Sequence, residues 1–316
     1  MTNSAGEFAL IEWIRQRAAT HANQAVGIGI GDDAAALRLS PSAEMLVTVD
    51  VLLEGVHFKM PPATPVEVGR KALAVNLSDI AAMAGQPVAA VVGIACPRDG
   101  GIDLPRELHE GMQTLADEFK VAIVGGDTNI WDGPLVVSVT LFGEATGSGP
   151  VRRDSARPGD WIMTTGSFGG SLAGQHFTFQ PRLLEALALH RETSLHAMLD
   201  VSDGLAADLH HILDESHVGA ILQADEIPIS EAARLINDGR TPLEHALSDG
   251  EDFELLFTVS PEEGRQLLGT DTLGTPISHI GEIIDGSGCR LVHGDGSETN
   301  LPRLGWEHGF AETDSG

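Results

Sequence analysis

Residues 65–95 read PVEVGRKALAVNLSDIAAMAGQPVAAVVGIA. Pro65 opens a helical pattern in which Val68, Ala72, Leu73, Leu77 and Ile80 recur at helical spacing, and Gly85 stops it. The β-branched run Val88–Ala95 follows as a strand. The same alternation extends in both directions. Met45–Asp50, Val121–Val124 and Leu135–Phe142 read as strands and Leu104–Phe119 as a helix. Farther on, strands are expected at Asp160–Thr164, Ala197–Val201, Gly219–Gln223, Phe253–Val259 and His279–Ile284, with a helix at Leu205–Glu215. Strand–helix alternation in both halves predicts an α/β protein built of α+β layers. Gly, Ser and Pro crowd into Gly143–Asp160, which places a boundary near residue 146 and predicts domains over 1–146 and 147–316.

Composition narrows the function classes. The 316 residues carry 46 Asp+Glu against 19 Lys+Arg, a formal charge of −27 with His neutral. Such a chain repels nucleic-acid phosphates and anionic membranes, so neither is expected as a partner. The longest apolar stretch, around Val88–Cys96, is far short of the roughly 20 residues that a membrane span needs. The start, MTNSAGEFALIEW, lacks a basic leader with an apolar core. Two cysteines, Cys96 and Cys289, make no CxxC. A cytoplasmic protein is expected.

The unusual feature is where the aspartates fall. GIGDD (29–33), TVD (48–50), VGGDT (124–128), LDVSDG (199–204) and SDGED (248–252) each set Asp at or near the end of an apolar run, and Asp79 lies inside the first helix. Any one of these is ordinary turn chemistry. Together, carboxylates at strand ends repel one another and call for hard cations, Mg²⁺ or Mn²⁺, which complete their shells with phosphate oxygens. GxxxxGK[ST], GxSxG and HExxH are all absent. Gly29–Ala34 fits GxGxxA, but its two aspartates would face a pyrophosphate and no proper helix follows. On Leu205–Glu215, Asp208 and His211 lie three apart and read as part of a polar helix face.

GIGDDAA, TVDVLLEGVHF, KALAVNLSDIAAMAGQP, VGGDT, DVSDGL and SDGEDFELLFT, in this order, closely resemble the thiamine-monophosphate kinase family. That family belongs to the superfamily of aminoimidazole ribonucleotide synthetase and selenophosphate synthetase. The resemblance runs from about Gly6 to Phe310. It implies a two-domain aminoimidazole ribonucleotide synthetase-like fold that dimerises through N-terminal strands and binds ATP across its domains. It also implies transfer of the γ-phosphoryl group of ATP to thiamine monophosphate, giving thiamine diphosphate. By the same resemblance, several Mg²⁺ ions (Mn²⁺ as substitute) would be held by Asp33, Thr48, Asp50, Asp79, Asp127, Asp200 and Asp203. ATP would touch Gly126, Asp127, Arg153 and Ser202, and the acceptor would touch His57, Glu251 and Trp306. By its local sequence alone, Trp306 reads first as core or tail packing, whereas Arg152 and Arg157 read equally as solvated surface or as part of a basic patch. No general base is assigned, because the acceptor is already an ionised phosphate. Val49 and Ala84 stand where Thr and Gly are usual, and Gly174–Ser194 looks shorter than the family pattern. Two other readings are a sister synthetase of the superfamily and a non-catalytic nucleotide-binding homologue. The first is disfavoured because the first cysteine, Cys96, comes late; the second because no acidic segment is missing.

Overall fold

The computed structural model describes residues 13–17, 24–28, 36–40, 44–269 and 274–306. The chain divides into two compact units, Met1–Pro150 with Phe177–Arg191, and Val151–His176 with Glu192–Gly316. A short ladder, β1 (Val26–Ile28) with β2 (Ala36–Leu37), precedes the main sheet of the first unit.

That sheet has four strands: β3 (Met45–Leu53), β4 (Gly85–Pro97), β5 (Ala122–Trp131) and β6 (Val136–Ala145). Their order is β3-β6-β4-β5, antiparallel except for the β4/β5 pair. Helices α1 (Pro65–Ala82) and α2 (Asp103–Phe119) bury their apolar sides. The entry to α1 is a capping box. Thr64 Oγ1 accepts the Glu67 N–H, and the Thr64 N–H donates to Glu67 Oε2 at 2.8 Å. The two helices touch through glycines: a Cβ on Gly69 would lie 2.0 Å from the Leu108 carbonyl oxygen, and one on Gly111 would lie 2.0 Å from that of Val66.

On β3 the alternation is strict. Leu46 and Leu52 are buried, with Thr48 and Asp50 between them half-buried, whereas Met45, Val47, Val49, Val51 and Leu53 are 36–58% exposed. One face of this edge strand is therefore apolar and open.

The second unit holds a sheet of seven strands: β7 (Trp161–Thr165), β8 (Ala197–Asp200), β9 (Gly219–Gln223), β10 (Leu255–Val259), β11 (Ile277–Ile284), β12 (Gly288–Val292) and β13 (Glu298–Leu301). Their order is β13-β12-β9-β11-β7-β10-β8, with only β12/β9 parallel. β12 and β13, GCRLV and ETNL, lack the apolar run that would mark them in sequence. Leu205, Leu209, Ile212 and Leu213 of the helix Leu205–Ser216 pack into the core beside this sheet.

One segment of the later half belongs to the first unit. Residues 177–191, with the helix α3 (Leu183–Glu192), join it. Arg70 donates to the Phe177 and Phe179 carbonyls at 3.0 and 2.7 Å, and His190 Nε2 lies 3.0 Å from the Thr146 carbonyl oxygen. These contacts span 44 to 109 residues of sequence, for which no local pattern exists.

Candidate active site

In the first unit, β3 and α1 bring Thr48, Asp50 and Asp79 together. The Thr48 hydroxyl donates to Asp79 Oδ2. Burial, with the Asp79 carboxylate beside it, pushes Asp50 up to about 7. Two carboxylates that repel one another in a half-buried site, with a hydroxyl beside them, are a donor set suited to a hard divalent cation, which would relieve the repulsion.

The folded-state value is raised above the ordinary 3.8, so Asp50 is protonated below about 7 and must lose its proton to ligate. Divalent-cation affinity should fall roughly tenfold per pH unit below 7, and calorimetry in buffers of different ionisation enthalpy should show about one proton released per ion at pH 6. In Asp50→Asn that proton release should vanish; its persistence would remove Asp50 from the site. Without metal the sign reverses. Stability linked to Asp50 is fully present below 3.8 and is lost as pH rises through about 7.

Asp127 stands apart from this set. The VGGDT segment does not form a loop; Gly126 and Asp127 lie within β5, opposite Val92 and Gly93. A Cβ at 126 would lie 2.1 Å from the Val92 carbonyl oxygen, so the sheet itself demands this glycine. The register runs Asp50–Val139–Val92–Gly126, three strand spacings, or roughly 14 Å. Asp127 falls in the next row, with Val51, Ser138 and Gly93. It is exposed, and Asn129 Nδ2 donates to it at 2.7 Å. Asp33 lies outside the described residues.

His57 sits on the turn after β3. Its Nδ1 accepts the Leu53 N–H at 3.0 Å, so in the neutral ring Nε2 carries the proton. Its carbonyl accepts from Lys71 Nζ at 2.9 Å, and Lys71 is buried. The sequence offered no sign of this lysine's part.

In the second unit the predicted residues converge. Asp200 ends β8, and Ser202 and Asp203 follow, just before α4 (Leu205–Ser216). The Glu251 N–H donates to the Ser202 carbonyl at 2.7 Å, and the Trp306 N–H donates to that of Asp203 at 2.9 Å. Trp306 is 57% exposed, so the packing expected from its local sequence gives way to an accessible indole. Glu251 adopts φ 56°, a left-handed conformation that non-glycine residues rarely hold, and its Oε2 lies 3.0 Å from Nδ1 of the buried His176. Arg153 is exposed; its guanidinium and that of Arg303 lie near His211, and burial together with these cations lowers the His211 pKa. Arg152 pairs with Asp154.

Two expectations need correction here. Asp208 is not part of a solvated helix face. It is 4% exposed, and burial with Asp203 nearby pushes it up to about 7. In SDGED, Asp249 and Asp252 do not serve as open ligands. Asp252 accepts the Gly169 N–H and the Ser171 hydroxyl, and Asp249 accepts the Gly170 N–H at 2.9 Å. These carboxylates tie two loops together, a long-range use invisible in sequence.

Comparison with known proteins agrees with this layout. Residues 31–145 match the family described as AIR synthase related protein, N-terminal domain, and 157–294 match its C-terminal domain. A thiamine-monophosphate kinase of Rhodopirellula baltica is 40% identical over 92% of this chain and 93% of its own length. The chain belongs to the thiamine-monophosphate kinase family. Within that family, the Salmonella typhimurium enzyme is 35% identical over 96% of this chain and 98% of its own. The crystal structure of the Stenotrophomonas maltophilia member matches with TM-score 0.80 at 35% identity, covering 92% of this chain and 97% of that one. Another member, AaThiL complexed with AMPPCP and TMP, matches with TM-score 0.71 at 29% identity over 98% of both chains.

Proposed function

We propose that this chain transfers the γ-phosphoryl group of ATP directly to the phosphate of thiamine monophosphate. The observation that carries this reading is the hydrogen-bonded grouping of Ser202, Asp203, Glu251 and Trp306, acidic and aromatic side by side, in a member of this kinase family. In the first unit Thr48, Asp50 and Asp79, and apart from them Asp127, would offer oxygen donors to Mg²⁺; in the second unit Asp200 and Asp203 would do so. When bound, the ions neutralise charge on the β- and γ-phosphoryl oxygens. Arg153 contributes a permanent cation toward the nucleotide phosphates, and Ser202 in the same unit and Gly126 in the first unit are further ATP contacts. On the acceptor side, Trp306 stacks on the thiamine ring system, Glu251 offsets its positive charge, and His57 donates from Nε2 to a phosphate oxygen. The decisive assay mixes thiamine monophosphate and MgATP and follows thiamine diphosphate and ADP. ADP without thiamine diphosphate would refute the assignment.

The chemistry needs no base from the protein. A phosphate monoester has its second pKa near 6 and is mostly dianionic at neutral pH. His57, with Nδ1 occupied by the Leu53 N–H, is set up to donate rather than accept. His57→Asn should weaken acceptor binding while kcat stays within about tenfold, short of the 10²–10⁴ typical of a lost base. A thousandfold fall in kcat at fixed KM would make His57 the catalyst.

The same reading includes a homodimer. The exposed row Met45, Val47, Val49, Val51 and Leu53 is a contiguous apolar face of the kind that a second copy covers. Val49→Arg should shift the sedimentation of the protein from dimer to monomer; an unchanged dimer would move the interface elsewhere. A reducing, cytoplasmic setting is supported by Cys96 and Cys289, both free and buried. Among the described residues no helix is long and apolar enough to cross a membrane.

A further inference from the structure

The N-terminus of α4 is already filled by a carboxyl oxygen, and that oxygen belongs to the chain. Asp208 Oδ2 accepts the backbone N–H groups of Ser202, Asp203 and Gly204 at 3.0, 2.9 and 3.1 Å. Converging N–H groups at the start of a helix, with the positive end of its dipole behind them, ordinarily receive a phosphate or carboxylate ligand. Here the place is filled from within. A phosphate that approached this loop would find those three donors taken and would face the Asp203 carboxylate. The ligating atoms of Asp203, Asp208 and His211 all lie within 4.8 Å of one another.

The arrangement is costly for a mere cap. Gly204, at the N-cap, adopts φ 119°, and a Cβ there would lie 3.1 Å from the Ser248 Cα, so a capping Ser or Asn is barred and the loop N–H groups are met by a carboxyl group from farther along the helix. Burying a carboxylate beside a second one costs more than burying a hydroxyl. The expense makes sense if the loop must hold one conformation and bear negative charge toward a ligand.

We propose that Asp208 is a positioning residue for the nucleotide side of the reaction: by tying down Ser202–Gly204 it turns a phosphate-type helix terminus into a cation-presenting edge, so that this unit takes ATP phosphates only as their divalent-cation complex. The proposal rests on the phosphotransfer reading above. Asp208 acts through Ser202 and Asp203 and does not itself touch the substrate.

The test compares full-length wild type with Asp208→Ala, Asp208→Asn and Asp208→Glu. It measures Mn²⁺ binding by electron paramagnetic resonance without nucleotide, KM and kcat for both substrates, and thermal midpoints. In Asp208→Ala, Mn²⁺ affinity should fall about tenfold and the MgATP KM should rise about tenfold, with the acceptor KM within about twofold. Asp208→Asn keeps an acceptor oxygen in place and should recover both to within about threefold. A folded Asp208→Ala with wild-type Mn²⁺ affinity and MgATP KM overturns the proposal. So does an equal rise in both KM values that Asp208→Asn does not rescue, since that is the mark of a purely structural role. Should Asp208→Ala fail to fold, Asp208→Glu decides, because it keeps the charge and displaces it by one methylene. A raised MgATP KM at unchanged acceptor KM supports the proposal, and no change in either overturns it. If the wild type makes no ADP with thiamine monophosphate, the phosphotransfer reading fails, while the Mn²⁺ measurements still decide the role of Asp208.

Discussion

Asp50→Asn and Asp127→Asn are each expected to lower kcat/KM for MgATP by at least about a hundredfold, with little loss of stability. Each change removes one negative charge while keeping the shape of the side chain. At Asp50 the folded protein already bears the cost of burying a carboxylate beside Asp79, so the neutral amide relieves repulsion in the metal-free state. The variant should therefore melt no lower than wild type without metal, and should lose the stabilisation that Mg²⁺ gives wild type. Asp127 is exposed on β5 and bonded by Asn129, so its loss should leave the fold untouched. The same reasoning makes activity dependent on Mg²⁺ or Mn²⁺. Full turnover in excess EDTA would sink the metal assignment altogether, and near-normal rates in both variants would show the wrong ligands had been chosen.

Trp306→Ala is expected to raise the acceptor KM while leaving that for MgATP nearly unchanged. The loss should be roughly 1–3 kcal/mol, the scale of a desolvated stacking or cation–π contact. The structure sharpens this expectation, because the indole is 57% exposed and contributes little to the core. Its backbone N–H, which bonds the Asp203 carbonyl, survives the substitution. The melting temperature should thus hardly move, and Trp306→Phe should restore most of the binding. Equal increases for both substrates would instead show that the segment around 306 supports the shared loop.

Local chemistry in the sequence was enough for the elements with a strong apolar pattern, though not for β12, β13 or α3. Pro65 and the Thr64/Glu67 pair start α1, the β-branched run after Gly85 makes β4, and the amphipathic spacing of Leu205–Leu213 makes the buried side of α4. These depend on propensities and periodicities that act over a few residues. The order of the acidic motifs was likewise readable, and with it the family. What the sequence could not determine was the use made of each carboxylate. Asp50 and Asp249 look alike in the chain, each an acid near a strand end. Only the fold sets Asp50 against Asp79 in a half-buried pair and commits Asp249 and Asp252 to the backbone of Gly169 and Gly170. Gly126 looked like a phosphate-loop glycine, and the β4/β5 ladder shows that it is needed because a Cβ there would strike Val92. Segment 177–191 carries no mark of joining the first unit, since Arg70 reaches it across more than a hundred residues. Burial, strand register and hydrogen-bond partners come from contacts distant in sequence, and a carboxylate becomes a ligand, a tie or a positioning group according to which of those contacts it meets.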